Sequence, residues 1–141
     1  MTDHKSPQAQ AWSPALESDC GNLQGVIGYF PLTASVVIDD VIQMVKVPLG
    51  ATVIDCILET GALGTNVLAE VGDDLDANRY ITVTDHAAAA LTRKKQTDKV
   101  GVPHTYTAEN TIDVTITNAN CDDNIAVRLD VFYICGVDTT P

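Results

Sequence analysis

The sequence predicts an all-β domain: an antiparallel β-sandwich of jelly-roll type with about eight strands, preceded by an irregular N-terminal arm. Three observations predict it: apolar and polar residues alternate with period two in several runs, turn residues interrupt those runs at short intervals, and only one short segment has helical character. TIDVTITN, residues 111–118, is the cleanest run, with Ile112, Val114 and Ile116 on one face and Thr111, Asp113, Thr115 and Thr117 on the other. In TVIDCILE, residues 52–59, Ile54, Cys56 and Leu58 are expected to share the core face, opposite Asp55 and Glu59. In residues 125–134, Ile125, Val127, Leu129, Val131 and Tyr133 alternate with Ala126, Arg128, Asp130 and Phe132.

Taken in order, residues 1–25 are rich in Pro, Ser, Gln and Ala without a sustained period, so they are expected to form the arm, and residues 26–141 the sandwich domain. The arm carries the only tryptophan, Trp12, which either anchors in a partner's pocket or folds back on its own domain. Strands are expected near residues 26–38, 40–47, 52–59, 66–71, 79–84, 102–108, 111–118 and 125–135. Pro48-Leu49-Gly50, the stretch from Gly61 to Gly64, Gly72-Asp73-Asp74, Glu109-Asn110 and the stretch from Asn118 to Asn124 supply the turns. HAAAALTRKK, residues 86–95, is the helical segment; it is too short to hold a helix without packing, and a loop fits it equally well.

The length of 141 residues corresponds to one domain, large enough to bury a core. Eight Lys and Arg against 19 Asp and Glu give a formal charge of -11, which argues against binding nucleic acid through its phosphates. No apolar run approaches the ~20 residues of a membrane helix. The amino terminus shows no apolar stretch of the secretory kind, so folding in a cytosol is expected. Cys20, Cys56, Cys121 and Cys135 form no CxxC pair, which disfavours zinc and leaves four free thiols, with Cys56 and Cys135 as small core residues.

The acidic stretch LAEVGDDLDANRYI, residues 68–81, invites comparison with a calcium loop. Starting at Asp74, Asp76, Asn78 and Asp85 fall at ligand offsets, but Arg79 stands where an EF-hand needs glycine and a strand pattern follows where a helix should. An acidic bend between two strands is the better account. His4, His86 and His104 are isolated, no GxSxG or paired-His motif occurs, and GALG at 61–64 precedes a strand, so neither catalysis nor a metal or other cofactor is expected. What remains is surface. Val53 and Ile57 are expected on the face of Asp55 and Glu59, Leu68 opposite Val67, Ala69 and Val71, and Phe132 beside Arg128 and Asp130; if they converge, they form an interaction patch.

The run DDVIQMVKVPLGATVIDCILETGALGTNVLAEVGDDLDANRYI, followed by YTAENTIDVTITNA and IAVRLDVFYI, resembles the small jelly-roll cement or decoration proteins of tailed bacteriophages, in particular that of a Bordetella-infecting phage. The likeness covers roughly residues 36–134 and rests on hairpins and turns. It implies a non-enzymatic virion protein on the outer surface of the capsid that clamps neighbouring major capsid subunits. It also implies a homodimer, with trimers known among other decoration proteins. On this reading Asp73, Asp74 and Asp76 meet basic side chains of the shell, and Trp12, Val53, Ile57, Leu68 and Phe132 complete the interface. The alternative is a receptor- or carbohydrate-binding β-sandwich of a phage tail or fibre, which would need aromatic platforms from among Trp12, Tyr29, Phe30, Tyr80, Tyr106, Phe132 and Tyr133.

Overall fold

The computed structural model describes residues 3–6, 23–31, 36–93, 104–122 and 126–135, and among them there are nine strands and no helix. They are β1 (Asp3–Lys5), β2 (Leu23–Pro31), β3 (Val41–Val47), β4 (Ala51–Thr60), β5 (Leu68–Gly72), β6 (Ile81–Asp85), β7 (Ala90–Arg93), β8 (Asn110–Thr117) and β9 (Ala126–Cys135). One sheet has the order β2-β9-β4-β7 and the other β1-β3-β8-β5-β6. Pairing from β2 to β9 is antiparallel throughout, and the eight strands divide four to a sheet in the order of a jelly roll. β1 is added beside β3 in parallel.

The most regular alternation lies on the central strands. On β8 Ile112, Val114 and Ile116 are buried, and on β9 Val127, Leu129, Val131 and Tyr133 are buried, so both inner faces are aliphatic layers that exclude water. The sheets approach closely at Gly28 of β2, where an added Cβ would lie 2.5 Å from the Met44 carbonyl oxygen of β3. β3 bulges at this point, between Gln43 and Val45, and both Met44 and Val45 turn inward.

Several expectations are corrected. In β4 the register shifts between Val53 and Asp55, and the extra residue reverses the alternation upstream of it. Val53 is therefore wholly buried with Cys56 and Leu58, while Ile54 is 44% exposed, the reverse of the strict period-two expectation. The 86–95 segment supplies the edge strand β7 rather than a helix, because Glu59 and Thr60 of β4 offer pairing partners to Leu91 and Ala90. No strand forms at residues 104–108; Thr105 makes a single bridge to Thr52, joined by a 2.7 Å hydroxyl contact. The first long strand spans Leu23–Pro31, and residues 36–40 form a turn with Asp39 at φ 69°.

Asp3–Lys5, within the expected arm, is a strand of the domain. His4 Nε2 lies 3.0 Å from the Asp40 carboxylate and its ring meets Phe30 edge-on. Ser6 is buried, with its hydroxyl donating to the Met44 carbonyl. Trp12 and Cys20 lie outside the described residues; Cys56, Cys121 and Cys135 are buried.

Candidate functional site: a sheet face and an acidic loop

The strand register assembles a surface on the outer face of the β2-β9-β4-β7 sheet. Leu23 stands beside Ile134, which stands beside Thr52; Gly25, Phe132 and Asp55 form the next row. Ile27, Asp130 and Ile57 follow, then Tyr29, Arg128, Glu59 and Leu91, and last Pro31 and Ala126. Leu23, Ile27, Tyr29 and Leu91 are each at least half exposed, and Ile54 protrudes from its bulge. Four strands about 4.8 Å apart and five side-chain rows make a face of roughly 20 by 30 Å, or about 600 Å². The face is mixed, its apolar residues interrupted by Asp55, Glu59, Arg128 and Asp130. Arg128 grips Asp130 through two hydrogen bonds of 2.9 and 3.1 Å, neutralising two of the charges on it.

Of the residues expected at an interface, Ile57 and Phe132 lie on this face, both half-buried, one row apart on neighbouring strands. Phe132 covers Gly25, where an added Cβ would come within 3.2 Å of its ring. Leu68 is half-buried on β5, on the outer face of the other sheet, beside Asp85 and Thr117. Val53 is core. The exposed residues that sequence reasoning missed are Leu23, Ile27, Tyr29, Ile54 and Leu91; the legible signal was that β2 is apolar on both faces and carries no charge.

The acidic loop between β5 and β6 is built around Asp73, which points inward and is only 4% exposed. Its Oδ1 accepts from the backbone N–H groups of Leu75 and Asp76, at 3.0 and 2.9 Å. Its Oδ2 accepts from Arg79 Nε at 2.7 Å and from the Tyr106 hydroxyl at 2.8 Å. Because Tyr106 gives its proton to the carboxylate, the Tyr80 hydroxyl 2.7 Å away donates to Tyr106. Burial alone would raise the Asp73 pKa, but hydrogen bonds from Arg79, Tyr106 and Leu75, with the Arg79 charge, hold it below the usual carboxylate range. Burial pushes the Tyr80 and Tyr106 phenols upward.

Asp73 is thus the loop's internal anchor and not a surface contact. Asp74 and Leu75 are exposed, Asp76 is half-buried, and Asn110 Nδ2 donates to Asp74 at 2.8 Å. The loop also folds back over Gly72, where any Cβ would meet the Asp76 carbonyl oxygen at 2.0 Å. Asp113, on the same side of β8, is 5% exposed, and its Oδ1 has no hydrogen-bond partner among the described residues. Burial pushes its pKa up to about 7 against a hydrogen bond from Thr111, with Asp74, Asp73 and Asp3 adding to the rise.

Among the described residues no group of three or more His, Cys, Asp or Glu side chains could hold a metal ion. The histidines lie apart. His86 is sealed in the core, with Nδ1 2.7 Å from the Thr60 hydroxyl and Nε2 3.0 Å from that of Thr84, and this hydroxyl–imidazole contact has no access to a substrate. His104 stacks edge-on against Tyr106. The geometry offers a surface and a rigid loop.

The fold is that of known phage-head components. A chain in the capsid of Ralstonia phage GP4 superposes with a TM-score of 0.81 at 15% identity, over 96% of this chain and 99% of that one. A chain in the cyanophage Pam1 capsid asymmetric unit gives 0.68 at 24% identity, over 91% and 94%. A chain in the acidic stable capsid of Helicobacter pylori bacteriophage KHP30 gives 0.52 at 22% identity, over 79% and 92%. No protein-family model matches the sequence, and no curated protein matches it.

Proposed function

We propose that this protein is a capsid cement, or decoration, protein: a non-enzymatic virion component that binds the outer surface of a phage head as a homodimer and stabilises contacts between major capsid subunits. The observation that carries this reading is the near-complete, two-way overlap with a chain of the GP4 capsid, which makes the likeness one of whole chains rather than of an embedded domain. The exposed sheet face supports it by supplying apolar area for docking, and each particle would present many equivalent sites, so modest contacts gain from multiplicity. Asp74 and Asp76 are the acidic groups placed to meet basic side chains of the shell. Asp73, spent on Arg79 and Tyr106, is not.

The glycan-binding alternative has few aromatics to draw on among the described residues: Tyr80, Tyr106 and Tyr133 are buried, and the outer face offers Tyr29 and the half-buried Phe132. The test is cosedimentation of the purified protein with expanded capsids of the phage that encodes it, alongside Leu91→Lys and the double variant Asp74→Lys, Asp76→Lys. Saturable binding that both variants weaken is expected; failure of the unaltered protein to bind any such shell would sink the proposal. Removing residues 1–24 is a poor test of the arm, because it also strips β1 and the first two residues of β2.

A further inference from the structure

We propose that β2 is a self-pairing edge through which two copies of this chain join their β2-β9-β4-β7 sheets into one eight-stranded sheet. The inference deepens the homodimer of the proposed function and rests on it. Among the described residues four strands lie at sheet edges: β1, β2, β6 and β7. Three are protected in the usual way, by brevity and charge. β1 has three residues including Asp3 and Lys5, β6 has five and ends in Asp85, and β7 has four and ends in Arg93. β2 has nine residues, LQGVIGYFP, and not one charge, in a chain whose net charge is -11.

An uncharged edge of this length is a template for another strand, and a second β2 answers it without introducing charge. Antiparallel pairing about a two-fold axis would bring Leu23, Ile27 and Tyr29 of both copies into one stripe, and these side chains are 60%, 57% and 50% exposed in the single chain. β3 packs against β2 at Gly28, and β1 lies one strand beyond β3, so the two-fold brings the β1 of each copy against the β3 of the other. Pro31 has no N–H to donate and confines the new ladder to the eight residues before it. The joined sheet would double the exposed face to about 1,200 Å², enough area for a stable contact with a shell.

The test is sedimentation equilibrium of the full chain at micromolar concentration, with amide hydrogen exchange read residue by residue. The unaltered protein is expected to be a dimer in which consecutive β2 amides are protected, since an unpaired edge protects only every second one. Ile27→Lys should produce a folded monomer and restore the alternating pattern, whereas Leu91→Lys, on the same face but two strands away, should leave the dimer intact while weakening capsid binding. A dimer that Ile27→Lys does not disturb, or alternating protection in the dimer, overturns the β2 interface alone and leaves the cement reading standing. A monomeric unaltered protein overturns both this inference and the homodimer, and cosedimentation then judges capsid binding separately.

Discussion

Replacing Asp73 with Asn tests whether the acidic loop is held from inside. The substitution keeps the shape and leaves Oδ1 to accept from Leu75 and Asp76, but it sets an NH₂ group against Arg79 Nε and the Tyr106 hydroxyl, which stand 2.7 and 2.8 Å from Oδ2. Two donors then face a donor, and the Arg79 guanidinium loses its counter-ion. Breaking a fully buried pair costs about 3–5 kcal/mol, but the Arg79 side chain is 17% exposed and recovers some hydration, so about 2–3 kcal/mol is expected. For a chain of this length that lowers Tm by roughly 6–10 °C.

The pH dependence gives a second reading. The folded pKa of Asp73 lies below its unfolded value, so its stabilisation is fully present above about pH 4 and is lost as pH falls through the folded value. The gap between the two proteins, measured by urea unfolding, should be widest near neutrality and narrow below about pH 4. A loss under about 1 kcal/mol, or a double-mutant cycle with Arg79→Gln that proves additive, would refute the anchoring role.

Three further outcomes are expected. His86 is kept neutral by burial, against the pull of Asp85, so its folded pKa lies below the ordinary imidazole value; stability should fall as pH drops below about 6.5, and His86→Gln should flatten that slope in thermal scans from pH 7.5 to 5. Asp113 behaves in the opposite sense: its raised pKa of about 7 means a penalty that is absent at pH 4 and complete above neutrality, so Asp113→Asn should stabilise the protein by roughly 2–4 kcal/mol at pH 8 and by little at pH 4, as read by chemical denaturation. Gly28→Ala should cost more than about 2 kcal/mol, since its Cβ would press on the Met44 backbone and neither sheet can retreat without opening the core; circular dichroism melting that shows no change would contradict the close approach.

Much of the fold was legible because a half-buried antiparallel strand writes its two faces directly into the sequence, as β8 and β9 do. Legibility failed where the backbone broke the period. Nothing local in TVIDCILE marks Ile54 as the bulged residue, so Val53 and Ile54 exchanged their expected faces. It failed again at β7, where HAAAALTRKK has helix-forming composition but a strand partner elsewhere in the chain overrides it. The acidic loop was correctly read as a bend, yet which of its carboxylates turns inward depended on Arg79 and on Tyr106, 33 residues away from Asp73.

The sequence by itself determined an acidic, all-β chain with seven of its eight main strands in roughly their observed places, because alternation and turn chemistry are local properties of neighbouring residues. Only the tertiary structure decided which strands became edges, that β2 alone among them is long and uncharged, and that Ile27, Ile54, Ile57, Leu91 and Phe132 share one outer face. Those facts depend on pairing between strands up to about a hundred residues apart. Long-range register is fixed by the joint burial of two inner faces, which no single segment of the chain encodes.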